Sequence, residues 1–429
     1  KAARLARYDV EELEAVLDPL EAVNRGSFVL PSETLVRGDP DKALETAPHR
    51  VRRRVRVGGQ DQFYLEGQIA MAVPQEDGAM LVYSSTQHPD EVQRMIAHAT
   101  CREAKDIVVV CRRMGGAFGG KESQAALIGV IAAIAADKTG RPCKLRLDRD
   151  DDMLMTGKRH DFVIDYDVGF DETGRISGVN FELASRCGMS ADLSGPVNDR
   201  AMFHCDNAYF LENVRIVSHR CKTNTVSNTA FRGFGGPQGM YAIEYVIDDI
   251  ARKLGMDPCE VRRRNFYGGD DRNTTHYEQV VDDDIADELF DRLLASSDYE
   301  QRRAAIRRFN ESSRVLKKGI AITPVKFGIS FTSTLLNQAG ALVHVYRDGT
   351  VQLNHGGTEM GQGLHTKVAQ VLADEFQVDI DRIRVTATST GKVPNTSATA
   401  ASSGTDLNGM ATADAANQIK ERLVAFAAE

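Results

Sequence analysis

The sequence lacks several features that would define a protein class by themselves. No apolar run reaches the ~20 residues that a membrane-spanning helix needs, and no signal peptide is visible. The 429 residues carry a formal net charge of −8, and this shortage of basic charge disfavours a nucleic-acid-binding surface. The seven cysteines include no C-x-x-C pair. They predict reduced thiols in a cytoplasmic protein and exclude zinc or iron–sulfur sites built from local cysteine motifs.

What remains describes an ordinary globular chain. Hydrophobic residues make up 42% of the sequence and charged residues 27%. The length suffices for about two or three domains with a large buried core. The basic cluster at residues 50–56 alternates arginine with valine. It is interpreted as the solvated face of a strand rather than as a binding patch.

The most informative stretch is the glycine-rich run at residues 113–123. It follows the β-branched residues 107–110 and precedes an alanine-rich run at residues 125–136. This order predicts a strand, a glycine turn and a helix, with free backbone N–H groups at the start of the helix. Such a turn suits an anion, most often a phosphate.

Two familiar nucleotide motifs do not fit this turn. Gly115, Gly120 and Lys121 match the start of a P-loop, but Glu122 stands where a serine or threonine should bind magnesium. A carboxylate there would repel a triphosphate. No G-x-G-x-x-G register fits the dinucleotide fingerprint either.

Three further turns of this kind precede predicted helices. They are NTAFRGFGGPQ at residues 228–238, HGGTEMGQG at residues 355–363, and the small residues at 397–406. Any one of them is more often a device for tight packing. Four together favour a large ligand with several polar edges, such as a pterin carrying a phosphate, held by helix N-termini and by the amides of Gln87, Gln238 and Gln362.

Periodicity predicts strands and helices around these turns. Strands are expected at residues 64–72, 80–84, 107–110, 144–147, 162–168, 176–183, 318–324, 341–346 and 351–354. Helices are expected at residues 11–17, 39–44, 90–99, 125–136, 237–254, 364–376 and 407–428, with two more within 282–309. Residues 185–200 are expected to be irregular.

The motifs GGAFGGKE (residues 115–122), NTAFRGFGGPQ and HGGTEMGQG resemble the molybdenum-binding portion of xanthine dehydrogenases, in the molybdenum hydroxylase family. The resemblance implies a mixed α+β fold, with two elongated molybdopterin-binding domains whose mixed sheets are flanked by helices. It assigns residues 1–50 to the tail of an a/b hammerhead domain, 51–310 to the first molybdopterin-binding domain and 311–429 to part of the second. The chain is therefore expected to be incomplete at both ends.

Members of this family hydroxylate a carbon beside nitrogen, or an aldehyde carbon, with water as the oxygen source. The resemblance implies a molybdenum–molybdopterin cofactor on this chain, and [2Fe–2S] clusters and FAD on partner domains or subunits. It implies contacts to the cofactor from Gln87, Gly116, Phe118, Gly119, Arg232, Met360, Gln362, Ala400 and Ala401. Gln87, Phe118, Arg232 and Ala401 would surround the molybdenum, partly through their backbone.

Two residues bear on the substrate. Glu122 and Arg200 match the glutamate and arginine that contact the purine in xanthine dehydrogenases, whereas aldehyde oxidases carry non-ionic residues at both places. Phe234 and Phe331 resemble the ring-clamping phenylalanines, and Thr332 a hydrogen-bonding group of the pocket. Without the resemblance, Arg200 would be interpreted as the partner of Asp199 in a surface ion pair. His204 and His355 are interpreted as structural.

The resemblance breaks at one place. The family's catalytic base is a glutamate in a later motif, which is not found before Glu429. The expected partners are the rest of the molybdenum subunit, an iron–sulfur/FAD subunit or domains, a purine and a second copy of the assembly. An aldehyde or other N-heterocycle oxidoreductase and a non-catalytic cofactor-binding fragment remain alternatives. The carbon monoxide dehydrogenase branch is rejected, because residues 231–234 contain no cysteine.

Overall fold

Helices cover three β-sheets in the computed structural model, which describes residues 5–269 and 271–429. The strands are β1 (Phe28–Arg37), β2 (His49–Val57), β3 (Ile69–Pro74), β4 (Met80–Ser84), β5 (Ile107–Cys111), β6 (Cys143–Arg146), β7 (Phe162–Phe170), β8 (Ile176–Gly188), β9 (Val214–Lys222), β10 (Ala341–Val345), β11 (Val351–His355), β12 (Ile383–Val385) and β13 (Thr388–Ser389). The helices are α1 (Pro19–Asn24), α2 (Pro40–Thr46), α3 (Pro89–Ala99), α4 (Gln124–Thr139), α5 (Arg149–Met155), α6 (Ser194–Phe203), α7 (Gly236–Leu254), α8 (Pro258–Asn265), α9 (Ala286–Ser296), α10 (Tyr299–Ser312), α11 (Leu364–Phe376) and α12 (Gly404–Ala428).

The first sheet runs β1-β9-β8-β7-β2 and is antiparallel except where β8 lies parallel to β9. Its inner face forms one hydrophobic core with α6, α7 and α8. On its outer face, Arg50 and Arg52 pair with Asp167, and Arg54 pairs with Asp165. The interpretation of residues 50–56 as a solvated strand face is therefore confirmed.

The second sheet, β13-β5-β4-β3-β6, packs against α3 and α4. Helix α4 approaches α3 closely because Gly129 has no side chain: a Cβ there would lie 2.9 Å from Val92 Cγ1. Strand β13 comes from the late part of the chain, and Thr388 pairs with Cys111 at the end of β5. The early and late parts of the chain thus share one sheet beside the first glycine turn.

The third sheet, β10-β11-β12, is covered by α11 and α12. The fold class is confirmed as mixed sheets flanked by helices. The domain boundaries at residues 50 and 310 stay predictions, and β1 and β2 occupy the two edges of one sheet. No helix within the described residues is both long and apolar enough to cross a membrane. Each of the seven cysteines carries a free thiol.

Most predicted elements are confirmed within a few residues, and four are wrong. Residues 11–17 are not helical, and Val16 N donates to Asn224 Oδ1. Residues 64–68 precede β3 as a loop, and residues 318–324 form no strand. The stretch at 185–200 is irregular only at residues 189–193, because β8 continues beside β9 to Gly188 and α6 begins at Ser194.

Gly235, at the start of α7, offers a test of this packing. Its φ is +99°, and a Cβ there would collide with the Val197 carbonyl oxygen of α6. We expect Gly235→Ala to lower the free energy of unfolding by about 2–4 kcal/mol, because the backbone strain of a positive φ in alanine adds to the steric collision of its Cβ with α6. Gly361→Ala is the control, since Gly361 has φ +106° but nothing within 4 Å of the added Cβ. Equal losses in denaturant unfolding of the two variants would contradict the packing argument.

Candidate functional site

Backbone hydrogen bonds join the glycine turns, although the turns lie far apart in sequence. Met114 N donates to Glu359 O at 2.9 Å, which links the first turn to the third. Arg232 N donates to Phe118 O at 3.0 Å, which links the second turn to the first. The four turns predicted to grip one ligand therefore form one cluster, completed by the contacts of Gln87.

Gln87 connects the first turn to the fourth. Its Oε1 accepts from Gly119 N at 2.9 Å, and its Nε2 donates to Thr399 O at 3.0 Å. Its backbone N–H donates to Lys121 O, and its backbone oxygen accepts from Thr399 N, both at 2.9 Å. The side chain is only 3% exposed. Both ends of the amide are thus occupied in holding the two turns at a set separation.

Left-handed backbone conformations at non-glycine residues recur on these turns. Phe118 has φ 54°, Phe234 φ 50° and Ala401 φ 54°. Each such residue costs about 1–3 kcal/mol and persists only where the surroundings impose it. Gly119 has φ +99°, and a Cβ there would lie 2.8 Å from the Ala230 carbonyl oxygen. Three of the turns therefore each hold a strained residue, as many binding sites do.

The fourth turn presents backbone donors at the start of α12. Within residues 5–269 and 271–429, no acceptor bonds to the N–H groups of Ala400, Ala401 or Ser402. Ala400 and Ala401 are partly exposed, and Ser402 is exposed. Free N–H groups beside a helix N-terminus attract an anion without carrying a titratable charge. These residues fit the phosphate or pterin edge of a large polar cofactor.

The third turn is braced from within. The Glu359 carboxylate accepts from Gly361 N, Gly363 N and His365 N at 2.9–3.0 Å. Burial opposes its ionisation, but these hydrogen bonds prevail and the pKa of Glu359 lies below its ordinary value. Glu359 is therefore an N-terminal anchor of α11 rather than a proton acceptor.

The amides expected to face the ligand are also used internally. Gln362 Oε1 accepts from Met360 N at 2.7 Å, and Gln362 Nε2 donates to Thr358 O at 3.0 Å. Met360 packs against Cys111, Met114 and Ala117, below the first turn. Gln238 is buried, and its Nε2 donates to His160 O. The side chains of Gln238 and Gln362 therefore help to shape the turns. Gln362 is also exposed to solvent.

Lys121 does not point toward a ligand. It is 0% exposed, and its Nζ donates to Glu66 O at 2.6 Å and Ser85 Oγ at 2.8 Å. The ammonium also lies 4.6 Å from the ring centroid of Tyr64. Burial lowers the pKa of Lys121 to about 8. A P-loop lysine must reach phosphates, so this geometry agrees with the rejection of a P-loop.

Glu122 is buried beside the start of α4. Burial, and secondarily the charge of Asp192, raises the pKa of Glu122 to about 8. Asp192 Oδ1 accepts from Ser123 Oγ at 2.6 Å, and Asp192 Oδ2 accepts from Gln124 Nε2 at 2.7 Å. At neutral pH the Glu122 carboxyl is therefore largely protonated and able to donate a hydrogen bond.

Arg200 lies on α6 and does not pair with Asp199. Asp199 forms its ion pair with Arg220. The Arg200 guanidinium instead donates from Nη1 to Gly328 O at 2.6 Å and from Nη2 to Ser330 O at 2.8 Å. Burial lowers the pKa of Arg200, which is only 6% exposed. Arg200 is therefore a desolvated cation that pairs with no carboxylate of the described residues, and it is not part of a surface ion pair.

The remaining residues predicted to form the pocket differ in their contacts and in their burial. Phe331 directly follows the carbonyls that bind Arg200, and it exchanges two hydrogen bonds with Asn337. Phe331 and Phe234 are partly buried, and Thr332 and Arg232 are exposed. In the described part of the chain, no hydrogen bond joins Glu122 to Arg200. His204 is structural: its Nδ1 lies 2.8 Å from Arg200 O, and burial lowers its pKa to about 4.

Sequence reasoning missed the residues that hold the site in place. Asp192 has φ 40° and connects the start of α4 to the approach to α6. Asp206, Asn207 and Lys326 tie the chain before Phe331 to the end of α6. The polar pair Asp206-Asn207, after an amphipathic stretch, suggests a turn. The local sequence does not show which distant segment that turn holds in place.

Comparisons with known proteins agree with this geometry. Models described as "Molybdopterin cofactor-binding domain" match residues 25–266 and 292–429. The chain is 45% identical over 426 residues to xanthine dehydrogenase of Calliphora vicina and 46% identical over 424 residues to xanthine dehydrogenase/oxidase of Gallus gallus. Each match covers 99% of this chain and 31% of the relative, so the chain spans about a third of these relatives.

Two solved structures show where this fold also occurs. Aldehyde oxidoreductase from Desulfovibrio gigas superposes with a TM-score of 0.82 at 25% identity, covering 97% of this chain and 46% of that one. Carbon monoxide dehydrogenase from Oligotropha carboxidovorans superposes with a TM-score of 0.85, covering 98% of this chain and 57% of that one. At 21% identity, the second likeness is one of fold alone. From its family matches and its clustered glycine turns, the chain belongs to the molybdopterin cofactor-binding domain family.

Proposed function

We propose that this chain forms the molybdenum-site portion of a xanthine dehydrogenase, which hydroxylates hypoxanthine and xanthine to urate with water as the oxygen source. The observation that carries the proposal is a pair of buried ionisable groups, Glu122 and Arg200, neither of which bonds to a counter-ion among residues 5–269 and 271–429. Both belong to elements that border the cofactor turns. Buried groups with perturbed pKa values, next to a ligand-binding cluster, are typical of functional sites.

The cofactor would be held mainly by neutral groups. Gln87 and the glycine turns supply the frame, and Arg232 and Phe118 stand at its exposed edge. The other proposed contacts are Gly116, Gly119, Met360, Gln362, Ala400 and Ala401. When bound, the molybdenum–molybdopterin cofactor supplies the two-electron oxidation of the substrate carbon. Neutral amide donors suit it because their strength does not change with pH.

The proposed role of Arg200 is electrostatic. An oxopurine gathers negative charge on its exocyclic carbonyl oxygen as the oxidised carbon is attacked, and a desolvated guanidinium stabilises that charge far more than water does. Two of its N–H groups are used by Gly328 O and Ser330 O. Its other three N–H donors remain for a substrate.

Glu122, Phe234, Phe331 and Thr332 would complete the purine pocket. A protonated Glu122 can donate a hydrogen bond to a ring nitrogen of the purine, which an ionised carboxylate cannot do. Phe234 and Phe331 would hold the flat ring by stacking and by edge contact. The Thr332 hydroxyl can donate to or accept from the substrate.

The proposal includes partners that carry the electrons away. These are the remainder of the molybdenum subunit, which would contribute the base glutamate, and an iron–sulfur/FAD subunit or domains, in a dimeric assembly. Relatives about three times as long as this chain support such additional parts. A cytoplasmic location is proposed because the seven free thiols suit a reducing compartment.

An aldehyde oxidoreductase is the second candidate, favoured by the superposition on the Desulfovibrio gigas enzyme. An aldehyde needs neither a carboxyl that donates to a ring nitrogen nor a cation beside an exocyclic ring carbonyl. A buried glutamate and a buried arginine would then cost desolvation energy without benefit. Purine oxidation therefore accounts for more of the site.

The first test uses the native full-length assembly under anaerobic conditions. We expect added xanthine to bleach the visible iron–sulfur and flavin bands, because electrons leave the purine through this site. Bleaching by an aldehyde but not by xanthine would overturn the substrate assignment. No bleaching by either compound, with molybdenum present at full content, would favour a non-catalytic cofactor-binding role.

Replacing the buried cation tests its role directly. Arg200→Met is expected to lower kcat/KM for xanthine by about 10²-fold or more, since it removes electrostatic stabilisation of the transition state. Molybdenum content and folding should persist. Arg264→Met changes an exposed arginine of α8 and serves as the control. Unchanged xanthine turnover in Arg200→Met would refute the proposed role.

Glu122 predicts a specific pH dependence of stability. Its pKa is raised from 4.5 to about 8, so the folded state holds a proton that the unfolded state releases. The stability it contributes is complete below pH 4.5 and is lost as the pH rises toward 8. Glu122→Gln cannot titrate, so we expect its Tm to rise relative to wild type across that range. The exposed Glu172→Gln is the control, and parallel Tm curves for wild type and Glu122→Gln would contradict the assignment.

A further inference from the structure

The segment at residues 324–331 leads into Phe331 without belonging to any sheet. It makes no strand pairing within the described residues, and Ser330 has φ 67°. Val325 is 71% exposed and Ile329 58% exposed, whereas the Phe327 ring packs against His204 with the ring centroids 5.1 Å apart. Because its apolar contacts are few, polar contacts contribute much of what holds the segment in place.

The first contacts come from Asn207, in the turn after α6. Asn207 Nδ2 donates to Pro324 O at 2.9 Å, and Asn207 Oδ1 accepts from Lys326 N at 3.1 Å. One side-chain amide thus pairs with the backbone much as a neighbouring strand would. Asn207 has φ 44°, a conformation that asparagine tolerates better than most residues.

A buried ionic contact holds the same point more strongly. Lys326 Nζ donates to Asp206 Oδ2 at 2.8 Å and lies 3.1 Å from the Tyr277 hydroxyl. The Tyr267 hydroxyl donates to the same Asp206 oxygen at 2.6 Å, and Asp206 is 0% exposed. Burial would lower the pKa of Lys326, but the charge of Asp206 outweighs it and raises that pKa. Removing one partner would leave a buried charge unpaired.

The far end of the segment meets both substrate and cofactor elements. Gly328 O and Ser330 O accept the two hydrogen bonds from Arg200. The Arg200 guanidinium carbon lies 5.3 Å from the ring centroid of Phe327. Ser330 N donates to Ala401 O at 2.7 Å, in the fourth turn. Whatever fixes Pro324 and Lys326 therefore also sets where Arg200 and Phe331 stand relative to the cofactor turns.

We propose that Lys326 and Asn207 are positioning residues for purine specificity, holding the 324–331 segment so that Arg200 and Phe331 face the substrate correctly. The inference rests on the proposed function. Neither residue touches substrate; both act through the backbone of the segment. A displacement of about 1 Å at a reacting group can reduce rates by about a hundredfold, so such anchors control turnover from a distance.

The test compares variants of the full cofactor-containing assembly. Lys326→Met keeps the aliphatic stem and removes the charge, whereas Lys326→Arg retains a cation for Asp206. We expect Lys326→Met to lower kcat/KM for xanthine at least about tenfold, with a raised KM, while kcat/KM for an aldehyde stays within about threefold. Lys326→Arg should restore most of the xanthine activity. Lys318→Met changes an exposed lysine eight residues earlier and is the matched control.

A second variant covers the case in which Lys326→Met does not fold. Asn207→Gly deletes both contacts to the segment and the hydrogen bond from Asn207 Nδ2 to Glu244 Oε1. It leaves no charge unpaired, because Glu244 keeps its ion pair with Arg262, and glycine accepts the positive φ at no cost. It should shift the ratio of xanthine to aldehyde activity in the same direction at full molybdenum content.

The outcomes separate this inference from the function on which it rests. If the wild-type assembly oxidises xanthine but Asn207→Gly leaves the xanthine-to-aldehyde ratio unchanged, the positioning role is refuted. Equal losses for both substrates would also refute it, because they would indicate a structural role alone. If the wild type oxidises no purine, the proposed function fails first.

Discussion

The contacts of Gln87 are the constraint on which the site depends. Its amide joins Gly119 in the first glycine turn to Thr399 in the fourth, and Gln87 itself lies 312 residues before Thr399. The β5–β13 pair brings the same two parts of the chain together one layer below. Without these two connections, the N-termini of α4 and α12 would have no set distance between them. A cofactor that spans both turns requires that distance before it binds, because ordering loops at the moment of binding reduces affinity.

The site combines strained backbone with desolvated ionisable groups. Phe118, Phe234 and Ala401 occupy left-handed conformations, and Glu122 and Arg200 are buried with no counter-ion bonded to them in the part of the chain that the structure describes. Each feature lowers stability, so the large cores under the first and second sheets must offset the sum. The same features prepare the site, because donors and charges already in place need no rearrangement when charge develops on a substrate.

Charge is distributed differently over the two sides of the molecule. On the outer face of the first sheet, arginines and aspartates neutralise one another in exposed pairs, which contribute little stability each. Around the turns, carboxylates instead brace the starts of helices: Glu359 accepts from backbone N–H groups at α11, and Asp192 accepts from the side chains of Ser123 and Gln124 at α4. The cofactor turns therefore present mainly neutral N–H groups, and the buried cation Arg200 donates to the chain just before Phe331.

The sequence by itself determined most of the elements, the glycine turns and the family. Glycine spacing, strand-to-helix order and three long motifs are local properties, so α4, α7 and α11 and the turns before them could be predicted without coordinates. The tertiary structure decided which groups face a ligand. Lys121 turns into the core, Glu359 onto its own backbone and Arg200 toward Gly328 and Ser330 rather than Asp199. The anchors Asp192, Asn207 and Lys326 were invisible beforehand because their partners lie 68 to 120 residues away. Hydrogen bonds of that range depend on how sheets and helices pack, which no local pattern encodes.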